Sequence, residues 1–454
     1  MRPLCWICTA VLTLTAQAGE MRQWTNTSGQ LVEAEMTGIN TARRAVKVRL
    51  KDGSEAEILI ESLSPPDKEY ARAEWERLQS GTTATPATST TPATAPTLNL
   101  GFAPRYACRL TSDERLKKVL EGGGTAEVEA AVLKSLQKFK TSQNPDGSWG
   151  RSNKAAMTGF ALQCFLGHGD TTNSTEFGDS VMKGLMFLIE LAKKNPHGML
   201  SEAWEAAKSG AGTYEHGIAT TAMCEAYLFS RAGAKQLPGQ RACVEKAVNL
   251  IIAQQNKAGS WTYGGQVGTA YNPESKGGDL SLANWHFLAL DAARDTGLTF
   301  NGLDGCIRSA TSYIESTQSK DGGFGKDSRE SHYNQWSLSG GACTGHVLLS
   351  DKPSSSSQKA VKFLTGFLTT EPPDWNMNCN LYCWHGYTHA LYLHGGPEWQ
   401  TYAKLLMPQI IAAQEPDGGF KRGRPNWPAG DASDATYRQA LCTLILETFY
   451  RCAQ

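Results

Sequence analysis

Four times along this 454-residue chain an amphipathic run ends in glutamine, passes through a tight glycine turn and closes on an aromatic residue. The copies run from Gln143 to Trp149, Gln255 to Trp261, Gln318 to Phe324 and Gln414 to Phe420, with Gly147, Gly259, Gly322 and Gly418 at the turns. Asn195-Pro196-His197-Gly198 is a weaker copy, and Pro373-Asp374-Trp375 falls where a further, worn one belongs. A unit recurring at roughly 50–65 residues marks an array of similar supersecondary elements rather than one irregular core.

The segments between the turns alternate in character. Ala126 to Thr141 and the runs 175–194, 241–255, 302–318, 356–369 and 398–414 carry apolar residues at helical spacing with a polar face. Ala155 to Leu166 and the runs 217–230, 280–295, 336–349, 384–394 and 434–450 are richer in small residues and more uniformly apolar. Two concentric rings explain the difference: the crowded inner helices need small side chains, and the outer ones can expose a polar face. The expected fold is mainly α, a six-hairpin (α/α)6 toroid over residues 101–454. In the loops, Asp-Gly makes the turn, the Gln is expected to bond a free helix end, and the aromatic residue to cover the packed pair.

Residues 1–18 read as a signal peptide, with Arg2, an apolar stretch from Leu4 to Leu14 and Ala16-Gln17-Ala18 as the cleavage site. This predicts an exported protein, periplasmic or secreted. Residues 19–79 alternate in strand fashion around Val46-Lys47-Val48-Arg49-Leu50, with turn signals at Gly29 and Asp52-Gly53. Residues 80–100 are Thr, Ala, Pro and Ser with almost no charge, a linker composition. Lys plus Arg and Asp plus Glu are both 44, so no nucleic-acid partner is expected. No run after the leader is long and apolar enough to span a membrane. Cys164, Cys224, Cys343 and Cys442 read as small core residues. Cys379 and Cys383 are the expected bridged or reactive pair.

Two resemblances follow from these residues. Arg22-Gln23-Trp24-Thr25, Val48 to Gly53 and Leu63-Ser64-Pro65-Pro66-Asp67 resemble an SHD-type domain, which implies a small SH3-like β domain with a protein partner. The Gln-rich loops ending in Gly-Ser-Trp or Gly-Gly-Phe resemble the repeats of the superfamily of squalene and other terpene cyclases and protein prenyltransferase β subunits. Tyr214 to Thr220, Gly278 to Trp285 and Trp384 to Ala390 resemble inner-helix starts in an exported bacterial branch of it.

That resemblance implies a central cavity where the inner-helix N-termini converge. The candidate catalytic acids are Asp434, Asp431, Glu215 and Asp279, with acids at helix starts also reading as caps. Tyr214, His216, Trp285, His332, Tyr333, Trp336, Trp384, His385, Tyr387 and Tyr437 are the candidate ligand-binding residues. The cyclase Asp-x-Asp-Asp motif is incomplete, because Asp431-Ala432-Ser433-Asp434 has Ser433 where the acid belongs. The prenyltransferase Asp-x-Cys pair is missing from Ser331 to Trp336, so no metal and no other cofactor is expected. Cys379, Cys383, His385 and His389 have a spacing that suits a metal, but a disulfide beside two helix histidines explains it as well.

Three functions fit. The first is binding or transforming an apolar ligand, an isoprenoid among the candidates. The second is a non-catalytic envelope module that binds protein or polymer. The third is a carbohydrate-active α/α barrel, which needs two carboxyl groups facing one cavity.

Overall fold

The computed structural model describes residues 21–25, 31–40, 45–50, 54–60, 63–64, 67–68, 70–71, 104–202, 210–264, 270–350, 354–425 and 434–453. The leader and the linker lie outside the described residues, as does Asp431. The chain divides into two compact units, before and after Pro96.

The first unit is an antiparallel meander of four strands, β1 (Met21–Thr25), β2 (Leu31–Asn40), β3 (Ala45–Leu50) and β4 (Glu55–Leu59), in the order β1-β2-β3-β4. Strand alternation sends Val46 and Val48 inward against Trp24, Ala34 and Met36, while Lys47 and Arg49 face out. The Trp24 indole donates to the Ala34 carbonyl at 3.0 Å. Asp67 anchors the segment after the sheet by accepting from Arg22 at 2.6 Å and the Thr25 amide at 2.7 Å.

The second unit opens with two helices, α1 (Pro104–Ala107) and α2 (Ser112–Glu121). Six hairpins follow: α3 (Ala126–Ser142) with α4 (Lys154–Gly167), α5 (Gly178–Lys194) with α6 (Gly210–Arg231), α7 (Gln240–Ala253) with α8 (Leu280–Asp295), α9 (Leu303–Thr317) with α10 (Gln335–Ser350), α11 (Ser355–Thr370) with α12 (Leu381–His394), and α13 (Gly396–Ala412) with α14 (Ala435–Leu446). A short α15 (Thr448–Arg451) closes the chain.

The even-numbered helices α4 to α14 form the inner ring, each against the next and α14 back against α4. α3 packs on both α13 and α14, which closes the outer ring. The physical difference between the rings is plain in burial. From Ala155 to Gly167 every residue of α4 is buried, whereas α3 buries only the stripe Val128, Ala131, Val132, Ser135, Leu136 and Phe139. Small residues set the inner spacing: a Cβ on Gly340 of α10 would lie 2.6 Å from the Gly386 carbonyl carbon of α12.

Observed boundaries differ from expectation in three inner helices. α6 begins at Gly210 rather than near 217, and α12 at Leu381 rather than 384. A turn at buried Glu447 separates α14 from α15, where one helix was expected.

The repeated loops interlock neighbouring hairpins. Each Gln side-chain amide donates twice, once to its own loop and once to the next outer helix: Gln143 to the Gly147 and Ser180 carbonyls, both at 2.9 Å, and Gln255 to Gly259 at 3.0 Å and Cys306 at 2.9 Å. Gln318 reaches Gly322 and Ser356 in the same way, and Gln414 reaches Gly418 and Ala131. The partner is thus the neighbouring outer helix, not a free helix end, because the turn lies flat against that helix. The Trp149 and Trp261 indoles each donate at 2.8 Å to a carbonyl of the preceding outer helix, Phe139 and Ile251.

Cys379 and Cys383, expected as a bridged or reactive pair, are both buried free thiols. Burial pushes the Cys383 thiol far up, so it is not a reactive thiolate.

Candidate active site

All six inner helices start at the same mouth of the ring. The residues there enclose a cavity of about 540 Å³, within the size range of roughly 300–1,000 Å³ usual for small-ligand sites. Each inner helix contributes the residues that helical periodicity turns towards the axis. α4 gives Ala156 and Phe160; α6 gives Tyr214, Glu215 and Ile218; α8 gives Ser281 and Trp285. α10 gives Leu338, α12 gives Tyr382, and α14 gives Tyr437 behind its first residue's neighbour, Asp434. Lys326, Tyr333, Ser152, Asn153 and Asn334 complete the wall from the preceding loops.

The floor is aromatic. The Trp285 ring meets Phe160 edge-on at 5.2 Å and lies 6.0 Å from Tyr382, while Phe160 lies 5.7 Å from Tyr437. Tyr214 shares a hydrogen bond with Ser281 at 2.7 Å, and the Asn284 amide donates to the Tyr382 hydroxyl at 3.3 Å. These bonds fix ring planes that a ligand can stack on. The rim is open, with Tyr333 61% exposed.

Glu215 is the buried acid of this wall, 2% exposed. It accepts from the Ala155 amide at 3.2 Å and from Ser201 Oγ at 3.3 Å. Desolvation outweighs those bonds and raises its pKa to about 7. A carboxyl group in that state holds its proton up to neutrality and can deliver it. Asp434 is the second carboxyl group of the wall. It caps α14, accepting from the Tyr437 amide at 3.0 Å. α6 and α14 are the two inner neighbours of α4, so Glu215 and Asp434 flank one helix on the same cavity.

Several of the other expected site residues fall elsewhere. Asp279 caps α8, bonded to Ser281, and pairs with Lys326 at 3.4 Å, outside the cavity lining. His216 points outward: its Nδ1 accepts from the Leu200 amide and its Nε2 donates to the Ala247 carbonyl. His332 is exposed and bonded to Gln335. Trp336 stacks on Phe367 of α11, and its carbonyl accepts from the Tyr387 hydroxyl. Trp384 packs on Trp375. His385 lines a separate cavity of about 100 Å³ at the opposite end of the inner helices, with His389, Arg109, Glu225 and Arg451. Tyr214, Trp285, Tyr333 and Tyr437 do line the mouth cavity, together with Phe160, Tyr382, Lys326, Asn153 and Asn334, which the sequence reading passed over. Among the described residues no group of His, Cys, Asp or Glu side chains is placed to hold a metal, and no helix is long and apolar enough to cross a membrane.

The architecture is that of an α/α toroid. No protein-family model matches the chain, and no curated protein matches it in sequence. Among solved structures it is similar to the GH76A α-1,6-mannanase from Salegentibacter sp. HEL1_6, at 10% identity and TM-score 0.48, covering 72% of this chain and all of that one. It is also similar to an inactive variant of that mannanase in complex with α-1,6-mannotetrose, at 9% identity, TM-score 0.47 and the same coverage. A protein from Actinoplanes gives 14% identity and TM-score 0.45, again over 72% of this chain and all of that one.

The resemblance to terpene cyclases and prenyltransferases is corrected: the solved structures that this chain is similar to include a mannanase and a protein from Actinoplanes. The cavity gives the physical reason. A site that generates a carbocation must be dry, whereas this mouth is open and carries Lys326, Ser152, Asn153, Ser281 and Asn334 among its lining residues.

Proposed function

We propose that this chain is a carbohydrate-active toroid whose mouth cavity takes a glycan and whose Glu215 acts on a glycosidic bond as the general acid. The observation that carries the proposal is a buried carboxyl group with a pKa of about 7 in an aromatic wall that it shares with a second carboxyl group. Aromatic faces suit the apolar faces of sugar rings. Glu215 would protonate the bridging oxygen as the bond to the leaving sugar breaks. Asp434, as carboxylate, would activate the water or attack the anomeric carbon.

Reducing-end release from a panel of polysaccharides tests this. α-1,6-Mannan comes first because the mannanase named above acts on that linkage. Glu215→Gln should lower the rate by about 10²–10⁴-fold with helical circular dichroism intact. The wild-type rate should fall as pH rises through about 7, as the acid loses its proton. Equal rates for wild type and Glu215→Gln would remove the role of Glu215.

One observation favours a second reading. Asn153, at the N-cap position of α4, makes no side-chain cap bond, and Glu215 supplies that helix start with an acceptor instead. Glu215 would then serve the fold, and the cavity would bind glycan without cutting it. Oligosaccharide binding without cleavage, kept in Glu215→Gln, would favour this reading.

For the N-terminal unit we propose an SH3-like module, residues 19–79, that binds a protein partner on an exported chain and is joined through residues 80–100. Mild proteolysis is expected to cut within 80–100 and leave a stable helical fragment. Recovery of intact chain under those conditions would sink the separate-module reading.

A further inference from the structure

Among the described residues only three non-glycine residues have left-handed backbone: Asn153 (φ 48°), Ala270 (φ 57°) and Asn334 (φ 57°). Two of them, Asn153 and Asn334, line the mouth cavity. They stand at the starts of α4 and α10. In the ring order α4, α6, α8, α10, α12, α14, those two helices are three places apart in either direction, so the asparagines face each other across the axis.

Neither amide does local work. Asparagine is among the best N-cap residues because its side chain accepts from the first helical amides, yet Asn153 makes no side-chain cap bond. At α10 the Asn334 backbone carbonyl accepts from Ser337 and Leu338, and its Oδ1 is shielded from solvent with no hydrogen-bond partner. An acceptor left unbonded in that way is costly, and left-handed backbone is uncommon outside glycine, although asparagine adopts it more readily than other residues with a Cβ. Strain of this kind gathers where a ligand is held. A rotation about χ2 exchanges the carbonyl and amino ends of each side chain, so a ligand against the wall can bond either one.

Resting on the carbohydrate reading above, we infer that Asn153 and Asn334 are a specificity pair that bonds hydroxyl groups on opposite sides of the same sugar segment. Glu215 and Asp434 flank Asn153, so the reacting bond lies on the α4 side and Asn334 reads the segment from the far wall. The ligand class is a neutral, polyhydroxylated pyranose chain. Each side-chain amide both donates and accepts, as a sugar hydroxyl does.

Glycine separates this role from a purely conformational one, because it adopts left-handed backbone without strain and removes the amide. Full-length wild type, Asn334→Gly, Asn153→Gly and Asn334→Ala are titrated with α-1,6-mannotetraose, cello-tetraose and xylo-tetraose, following tryptophan fluorescence, and melted in parallel. The expected result is a thermal midpoint in both glycine variants equal to or above wild type, with affinity for the preferred tetraose at least about tenfold weaker. The alanine variant should be both less stable and weaker in binding. Wild-type binding that the glycine variants match would overturn the specificity pair and leave the carbohydrate reading standing. Failure of wild type to bind any of the three would overturn both.

Discussion

Acidification from pH 6.5 to 4 is expected to remove several kcal/mol of stability from the toroid, through histidines that are neutral because they are buried. The His216 pKa is lowered to about 4, and those of His286 and His385 to about 3, in each case chiefly by desolvation. His389 is pushed down as well, by desolvation and by the neighbouring His385. The hydrogen bonds explain why protonation is resisted. His216 donates from Nε2 and accepts the Leu200 amide on Nδ1. His286 donates from Nδ1 to the Leu282 carbonyl and accepts the Tyr271 hydroxyl on Nε2 at 2.7 Å. A second proton on either ring destroys an accepted bond and buries a charge.

The sign follows from linkage. A histidine whose folded pKa lies below its unfolded value of about 6.5 supports the fold above that value and loses its support as pH falls towards the folded pKa. At about 1.36 kcal/mol per pKa unit, His216 and His286 each cost on the order of 3 kcal/mol by pH 4, against a total stability of roughly 5–15 kcal/mol for a typical protein. Glu215 works in the opposite sense: its raised pKa lends stability below about 4.5 that is lost as pH rises through about 7. Urea titrations from pH 7.5 to 4 read the balance. Replacing His286 with Gln should flatten the acid limb. A denaturation midpoint that stays constant over this range would contradict the argument.

The second large effect is expected at the interlocks. Gly259 has φ +84°, and a Cβ built on it would lie 2.2 Å from the Ser309 carbonyl oxygen of α9. Gly259→Ala therefore carries the left-handed penalty of about 1–2 kcal/mol and also pushes the loop off the neighbouring helix. A total of roughly 3 kcal/mol is expected, at the upper end for single substitutions. Gln255→Ala removes two side-chain hydrogen bonds and should cost about 1–3 kcal/mol. Because both changes break the same loop–helix contact, the double variant should fall short of the sum of the single effects. Full additivity in chemical denaturation would show that the glycine and the glutamine do not act as one unit.

The array was legible in the chain because its periodicity is carried by residues with a backbone reason to recur. Gln255, Gly259 and Trp261 each serve one contact that is repeated around the ring. The cavity was less legible because neighbouring residues at a helix start do not share a direction. In Trp384-His385-Gly386-Tyr387 each step turns about 100°, so Trp384 and Tyr387 pack away from the axis. The axial stripe of that helix is Tyr382, His385 and His389, spread along its length between two cavities. The same spacing in α6 gives Tyr214, Ile218, Thr221 and Glu225. Steps of three or four residues join Ala156 to Phe160 in α4 and Tyr382 to His385 and His389 in α12. Asn153 and Asn334 carry no such signal, since asparagine before a helix reads as an ordinary cap and only the backbone angle sets these two apart.

The interlock of the last loop with the first outer helix has its own consequence. Gln414 donates to the Ala131 carbonyl of α3 at 2.8 Å, the same bond that joins every other well-formed neighbouring pair. Open helical arrays need special terminal units to shield their exposed ends; here the last hairpin shields the first. A circular permutant opened between hairpins, after α10 and before α11, with the end of α15 tied back to the start of α1, is therefore expected to rebuild the same ring.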